Sequence, residues 1–192
     1  MSPSIREFLL KKDRVCPWWL AYTFDNPFRR LFQNPDRILG NYAKPGHTML
    51  DIGCGLGYFT LAMARLVGGS GKVIAVDLQT QMLERVKRRA ERAGLQSRIQ
   101  AHLCHKGSLG VKEPVDFVLA FWMVHEVDDK TVFFKEVRGL IKPEARFLVV
   151  EPKFHVTASE FQKTIAIAHQ AGLVSLETPR IRFSRAVIFV SG

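Results

Sequence analysis

The chain has 192 residues, 47% of them apolar, which suits one domain with a sizeable core. Its three cysteines, Cys16, Cys54 and Cys104, form no Cys-x-x-Cys pair, which excludes a zinc knuckle and a disulfide-stapled fold and fits a reducing cytoplasm. A net charge of +10 is compatible with an acidic ligand, a nucleic acid or an anionic surface, while no 18-residue apolar run is present for a transmembrane helix.

Residues 1–46 precede the first strand of the fold. Lys11-Lys12-Asp13-Arg14 interrupts the early apolar residues, against a signal peptide. A short helix is expected over Ser4 to Lys12, then an aromatic stretch from Pro17 to Phe24. Asn34-Pro35 reads as N-cap and first position of a helix ending near Gly40 to Ala43. Thr48 to Ile52 is a buried strand, followed by Gly53, Gly55 and Gly57 and then by Phe59, Ala62, Met63, Leu66 and Val67 at helical spacing. Strand, glycine turn and helix make a nucleotide-binding geometry. Lys72 to Asp77 is a second strand, and Asp77 lies about 20 residues past the last glycine, the spacing at which an acid holds ribose hydroxyls.

The helix from Thr80 to Ala93 points Arg85, Lys87, Arg88, Arg89 and Arg92 outward, with Gly94 closing it. No aromatics interleave with these cations, so a solvated face is preferred to an RNA surface. Arg98 to Cys104 is the third strand. Alternation puts His102 and Cys104 on one face and His105 on the other, with no fourth ligand nearby, so no metal is expected. The fourth strand, Val115 to Phe121, runs into Trp122-Met123-Val124-His125-Glu126-Val127. Asp128 is expected to cap the next helix, which Lys142-Pro143 ends. Ala145 to Glu151 is the fifth strand. A capping box, Thr157 to Glu160, opens a helix that Gly172 stops. Leu173 to Glu177 and Arg185 to Val190 have no helix between them and pair antiparallel.

Several of these segments, in this order, resemble the class I S-adenosylmethionine-dependent methyltransferases of the small-molecule, ubiquinone/menaquinone-biosynthesis type. They are Leu50-Asp51-Ile52-Gly53-Cys54-Gly55-Leu56-Gly57, Val76-Asp77-Leu78 with Met82-Leu83, Phe117 to Ala120 with Val124-His125-Glu126-Val127, and Leu140-Ile141-Lys142-Pro143 before Phe147 to Pro152. The glycine pattern is G-x-G-x-G rather than the G-x-G-x-x-G of nicotinamide binders. The resemblance implies an α/β, Rossmann-like three-layer sandwich whose seven-stranded, mostly parallel sheet ends in an antiparallel hairpin. It implies S-adenosyl-L-methionine as cofactor and a methyltransferase domain over 47–192, with 1–46 covering the active site. By the same resemblance, Asp51, Gly53, Cys54, Gly55 and Gly57 cradle the methionine part and sugar. Asp77 accepts from the ribose, and Leu78 or Gln79 flanks the adenine. Cys104-His105 stands where the family often carries a Gly-Asp pair whose acid reads the adenine amino group; His105 or Ser108 is expected to substitute for that acid, or backbone groups to suffice. Phe121 to Glu126 borders the reaction centre. Trp18, Trp19 and Tyr22 line an acceptor site, anchor the extension to the core, or face a membrane.

Methyl transfer from a sulfonium is an in-line displacement, so proximity and alignment, which can supply about 7–11 kcal/mol, are the protein's main task. An acceptor hydroxyl or carbon acid must also lose a proton. His125 is the candidate base because imidazole titrates near pH 7; a purely structural hydrogen bond is the competing reading. Glu126, Tyr22 and His155 are weaker candidate bases, and His125 and Glu126 are also expected to contact the substrate, as is Tyr22. The expected activity is methylation of a small, partly apolar acceptor. An RNA-directed methyltransferase and a non-catalytic S-adenosylmethionine-binding module are the alternatives. The sequence carries no signature of oligomeric state.

Overall fold

A computed structural model describes residues 29–192. Two short helices lead in: α1 (Arg29–Phe32) and α2 (Pro35–Leu39), the second capped by the Asn34 side chain, which accepts from the Asp36 and Arg37 N–H groups. Alternation of strand and helix follows: β1 (Thr48–Ile52), α3 (Tyr58–Leu66), β2 (Lys72–Asp77), α4 (Thr80–Arg92), β3 (Ile99–Leu103), β4 (Val115–Phe121), α5 (Lys130–Leu140), β5 (Ile141–Pro152) and α6 (Ala158–Gln170). The hairpin β6 (Leu173–Glu177) and β7 (Ser184–Ser191) closes the chain. The aromatic stretch with Trp18, Trp19 and Tyr22 lies outside the described residues.

The strands form one sheet in the order β3-β2-β1-β4-β5-β7-β6. Pairing is parallel from β3 through β5 and antiparallel for β5–β7 and β6–β7, so the expected mostly parallel sheet with a terminal hairpin is present. Helices cover both faces, which is why the central strands are nearly continuous apolar runs rather than alternating ones. Parity sorts their side chains. Leu50, Ile52, Val118, Phe147 and Val149 meet α5 and α6 on one face. Met49, Phe117, Leu119, Phe121 and Leu148 meet α2 and α3 on the other. Strand order reverses between β1 and β4, and that reversal opens a crevice at the sheet's carboxyl edge.

Three local readings are corrected. Asp129, not Asp128, caps α5, accepting from the Val132 N–H at 3.0 Å, while Asp128 pairs with Lys106. β5 begins at Ile141 rather than Ala145, because Ile141 pairs with Val115 and the register then shifts before Phe117 pairs with Arg146. Within that irregular stretch Glu144 has φ 66°. Finally, the α4 cations are not all solvated: the Arg89 guanidinium donates to the Leu56 carbonyl at 2.7 Å and so braces the glycine loop. Among the described residues no helix is long and apolar enough to cross a membrane.

Candidate active site

A cleft of about 440 Å³ lies at the crevice between β1 and β4. Its size falls in the range of small-molecule sites. The glycine loop forms one wall. Gly53, Gly55 and Gly57 all have positive φ, so an L side chain at any of them would be strained. Each also answers a local need. A Cβ on Gly53 would lie 2.9 Å from Met123 Cγ, and one on Gly57 would lie 3.1 Å from Val86. Gly55 has nothing within 4 Å of its missing Cβ, so its backbone faces open space where a ligand can approach.

Asp77 ends β2 at the floor of this cleft. Its Oδ2 accepts from the Gly55 N–H and its Oδ1 from the Gln79 N–H, both at 2.9 Å. The carboxylate thus ties the glycine loop to the α4 turn. Burial raises its pKa, against the backbone N–H groups of Gln79, Gly55 and Leu78 that favour the charge. Leu78, Cys104 and His105 line the far end. His105 exchanges backbone hydrogen bonds with Ser108, and Glu136 from α5 accepts from the Ser108 hydroxyl and from the Leu109 and Gly110 N–H groups. Glu136 also lines the cleft. The carboxylate that holds the Ser108–Gly110 turn is therefore supplied by a helix distant in sequence, not by the residues after β3.

Other expected cofactor residues stand behind the cleft. Asp51 is buried, accepts from Thr60 Oγ1 at 2.5 Å, and burial lifts its pKa to about 6. Cys54 packs with Ala75, Leu83 and Val86, and burial pushes its thiol pKa well up. Burial likewise lifts Cys104 to about 11. Phe121 is not in the cleft. Strand parity places it with Phe117 and Leu119 on the opposite face, where its ring lies 4.3 Å from that of Phe59.

Beyond β4 the chain makes a sharp turn at Trp122, which has φ 60°. A left-handed tryptophan is an uncommon, strained backbone state, and such states cluster at functional sites. Here the surroundings fix it: its N–H donates to the Val150 carbonyl at 2.7 Å and its indole Nε1 to Ser184 Oγ at 3.0 Å. The turn aims Glu126 into the cleft and sets His125 beside it. His125 does not itself line the cleft. Its Nδ1 lies 2.5 Å from Glu151 Oε2, and its backbone N–H donates to Glu151 Oε1. A carboxylate only accepts, so Nδ1 carries the hydrogen and Nε2 keeps a lone pair in the neutral ring. Nε2 is 3.8 Å from Glu126 Oε1. Burial alone would lower the His125 pKa; the Glu151 bond and charge, aided by Glu126, raise it instead, with Lys130 opposing. His155 stacks on His125 at 5.8 Å, and burial and then the His125 charge lower its pKa.

Two participants were not singled out from the sequence. Glu151 is 1% exposed and belongs to β5, adjacent to β4 only in the folded sheet. Its one sequence signal is an acid ending an apolar strand. Arg29 in α1 puts its guanidinium over the Tyr58, Phe59, Phe121 and Trp122 rings at 4.5 to 5.6 Å. It also favours the charged form of Asp51.

A doubly wound sheet with a glycine-walled cleft at its switch point and an acid on the second strand defines a class of nucleotide-type ligand binders. Residues 43–176 match the family described as a methyltransferase domain, and the chain belongs to that family. It is 32% identical over 114 residues to a 2-phytyl-1,4-naphtoquinone methyltransferase of Trichormus variabilis, covering 59% of this chain and 49% of that protein. It is 30% identical over 111 residues to a demethylmenaquinone methyltransferase of Bacillus cereus, covering 56% of this chain and 46% of that protein. The chain thus spans about half the length of the curated relatives it matches. A SAM dependent methyltransferase from Aquifex aeolicus has the same fold, with TM-score 0.82, 21% identity, and coverage of 91% of this chain and 98% of that one.

Proposed function

We propose that the chain is an S-adenosylmethionine-dependent methyltransferase of the cytoplasm, acting on a small, partly apolar acceptor that loses a proton as it is methylated. The observation that carries this reading is the adjacency of two unlike sites: the glycine-walled cleft and, in the same Trp122–Glu126 turn that walls it, the His125–Glu151 pair. The residues present fit the cofactor. Gly55 leaves its backbone open to the cleft, and Asp77 is placed at the floor with both oxygens anchored yet with lone pairs to spare for ribose hydroxyls. Leu78, Met82 and Phe133 offer an apolar end for a purine.

When bound, S-adenosylmethionine supplies an electrophilic methyl group on a good leaving group. The chain's contribution is position and one proton. Glu151 holds His125 through two hydrogen bonds, one from its backbone N–H and one from ring Nδ1, so that Nε2 faces the Glu126 side of the turn. There Nε2 takes the proton from an acceptor hydroxyl or acidic carbon. Trp122, and Phe154 whose ring meets it edge-on at 5.4 Å, give an aromatic surface for an apolar acceptor. Acceptors of the type named for the naphthoquinone and menaquinone relatives fit that description.

Calorimetric titration with S-adenosylmethionine and S-adenosylhomocysteine, with NADH as control, tests the reading. Micromolar binding of the first two and none of NADH supports it. Failure to bind either, with the protein folded, withdraws it.

A further inference from the structure

A second opening, an open groove of about 700 Å³, lies beside the reaction centre where β6 joins β7. Its walls bring together Lys153, Arg180, Arg182 and Arg185, with the Gln162 amide and the Thr178 hydroxyl, and among the described residues contain no acidic one. Among the described residues, Lys153, Arg180 and Arg185 take part in no ion pair. Nearby carboxylates are engaged elsewhere: Glu151 by His125, Glu160 by Thr157, and Glu177 by Tyr42 and Arg146. Arg182 is steadied by its guanidinium face, which lies over Phe32 at 4.8 Å and Phe183 at 5.2 Å. Stacking uses the face of the fork and not its N–H edges.

The groove's place in the fold gives it a purpose. Ser184 pairs with Pro152 at the carboxyl end of β5, and the Lys153 N–H donates to the Phe183 carbonyl at 3.0 Å, so the connection sits on the same sheet edge as the cleft. Ser184 is shared: it lines the groove and accepts from the Trp122 indole. Phe154, 60% exposed, stands against Trp122, which lines the cleft, and follows Lys153, which lines the groove. Four like charges held close without a counter-charge repel one another, and an anion with several oxygens relieves that repulsion. Guanidinium forks match phosphate geometry bidentately.

We propose that this groove is a phosphate-binding site that takes a phosphate or diphosphate group borne by the acceptor. Its assignment to the acceptor rests on the methyltransferase reading; the phosphate binding itself does not. The probe is inorganic pyrophosphate, titrated at low ionic strength into wild type, Arg180→Gln/Arg185→Gln, and Lys87→Gln/Arg88→Gln. The last pair removes equal charge from the exposed face of α4, away from the groove. The expected result is a loss of about tenfold or more in affinity for the Arg180/Arg185 variant, the size of one or two charge-assisted hydrogen bonds, and no change for the α4 variant. Equal weakening in both variants, or no binding by wild type, overturns the site.

Phosphatidylcholine vesicles containing phosphatidylglycerol form the second arm. Vesicle binding that depends on Arg180 and Arg185 supports the site with a lipid headgroup as the phosphate source. Pyrophosphate binding without vesicle binding supports it with a soluble one. S-adenosylhomocysteine affinity, measured in every variant, separates the two readings. Retained affinity in Arg180→Gln/Arg185→Gln shows an intact fold, whereas wild type that binds pyrophosphate but not S-adenosylhomocysteine loses the methyltransferase reading and keeps the phosphate site.

Discussion

The two halves of the sheet's carboxyl edge are built from different materials. Over β1 and β2 the cleft is made of backbone: three glycines, N–H groups and one carboxylate that organises them. Over β4, β5 and β7 the edge is made of side chains: a left-handed tryptophan, a histidine held by a buried glutamate, and a row of cations. Backbone recognition suits a ligand common to many proteins, because glycines and main-chain donors are insensitive to most other substitutions. Side-chain recognition suits a ligand particular to one, since each contact changes with a single residue.

The sharpest way to break this comparison is at His125. His125→Asn removes the proposed base and is expected to lower kcat by about 10²–10⁴-fold, with S-adenosylhomocysteine affinity unchanged. A parallel loss of cofactor affinity would merge the two halves. Glu151→Gln keeps the hydrogen-bonding shape but removes the charge that raises the His125 pKa. The sign follows: the neutral base is lost as pH falls through its pKa, so the acidic limb of the rate profile shifts to lower pH in this variant. An unmoved limb would deny Glu151 its positioning role.

Next in size is a stability effect on the cofactor side. Asp51 rises from 3.8 to about 6 on burial, so its ionised form disfavours the fold above pH 6, and the penalty disappears below 3.8, where the group is neutral folded or unfolded. Asp51→Asn should therefore stabilise the protein by up to about 3 kcal/mol near pH 8, with the gain fading by pH 4, as read by urea melts. Asp77→Ala should weaken S-adenosylhomocysteine binding by about 1–3 kcal/mol. The smallest effect tests a local assignment. Asp129→Ala should cost about 1 kcal/mol of stability by removing a helix cap, and Asp128→Ala much less.

What could be read in the sequence follows the same division. The glycine loop, Asp77 and the order of strands and helices depend on neighbours in the chain, and all were visible there. His125 was visible by residue type, but its partner was not, since Glu151 meets it only because β4 and β5 pair. Phe121 shares parity with Phe117 and Leu119 and packs on their face of the sheet, a placement that strand alternation alone makes legible. Arg89 read as solvated because its acceptor, the Leu56 carbonyl, is distant in sequence. Arg29, lodged among four rings drawn from α3 and the end of β4, carried no pattern at all. The basic groove was equally hidden, since Lys153 joins the arginines of the β6–β7 connection only through the antiparallel insertion of β7.

The two thiols buried among the described residues have a bearing on durability. Cys104 lines the cleft and Cys54 lies directly under its glycine wall. A thiolate is the protein nucleophile best able to intercept a sulfonium methyl, and an enzyme alkylated there would be spent after few turnovers. With one thiol held near 11 and the other well above its ordinary value, almost no thiolate exists at neutral pH. Desolvation thus keeps both thiols poor nucleophiles toward any electrophile held in the cleft.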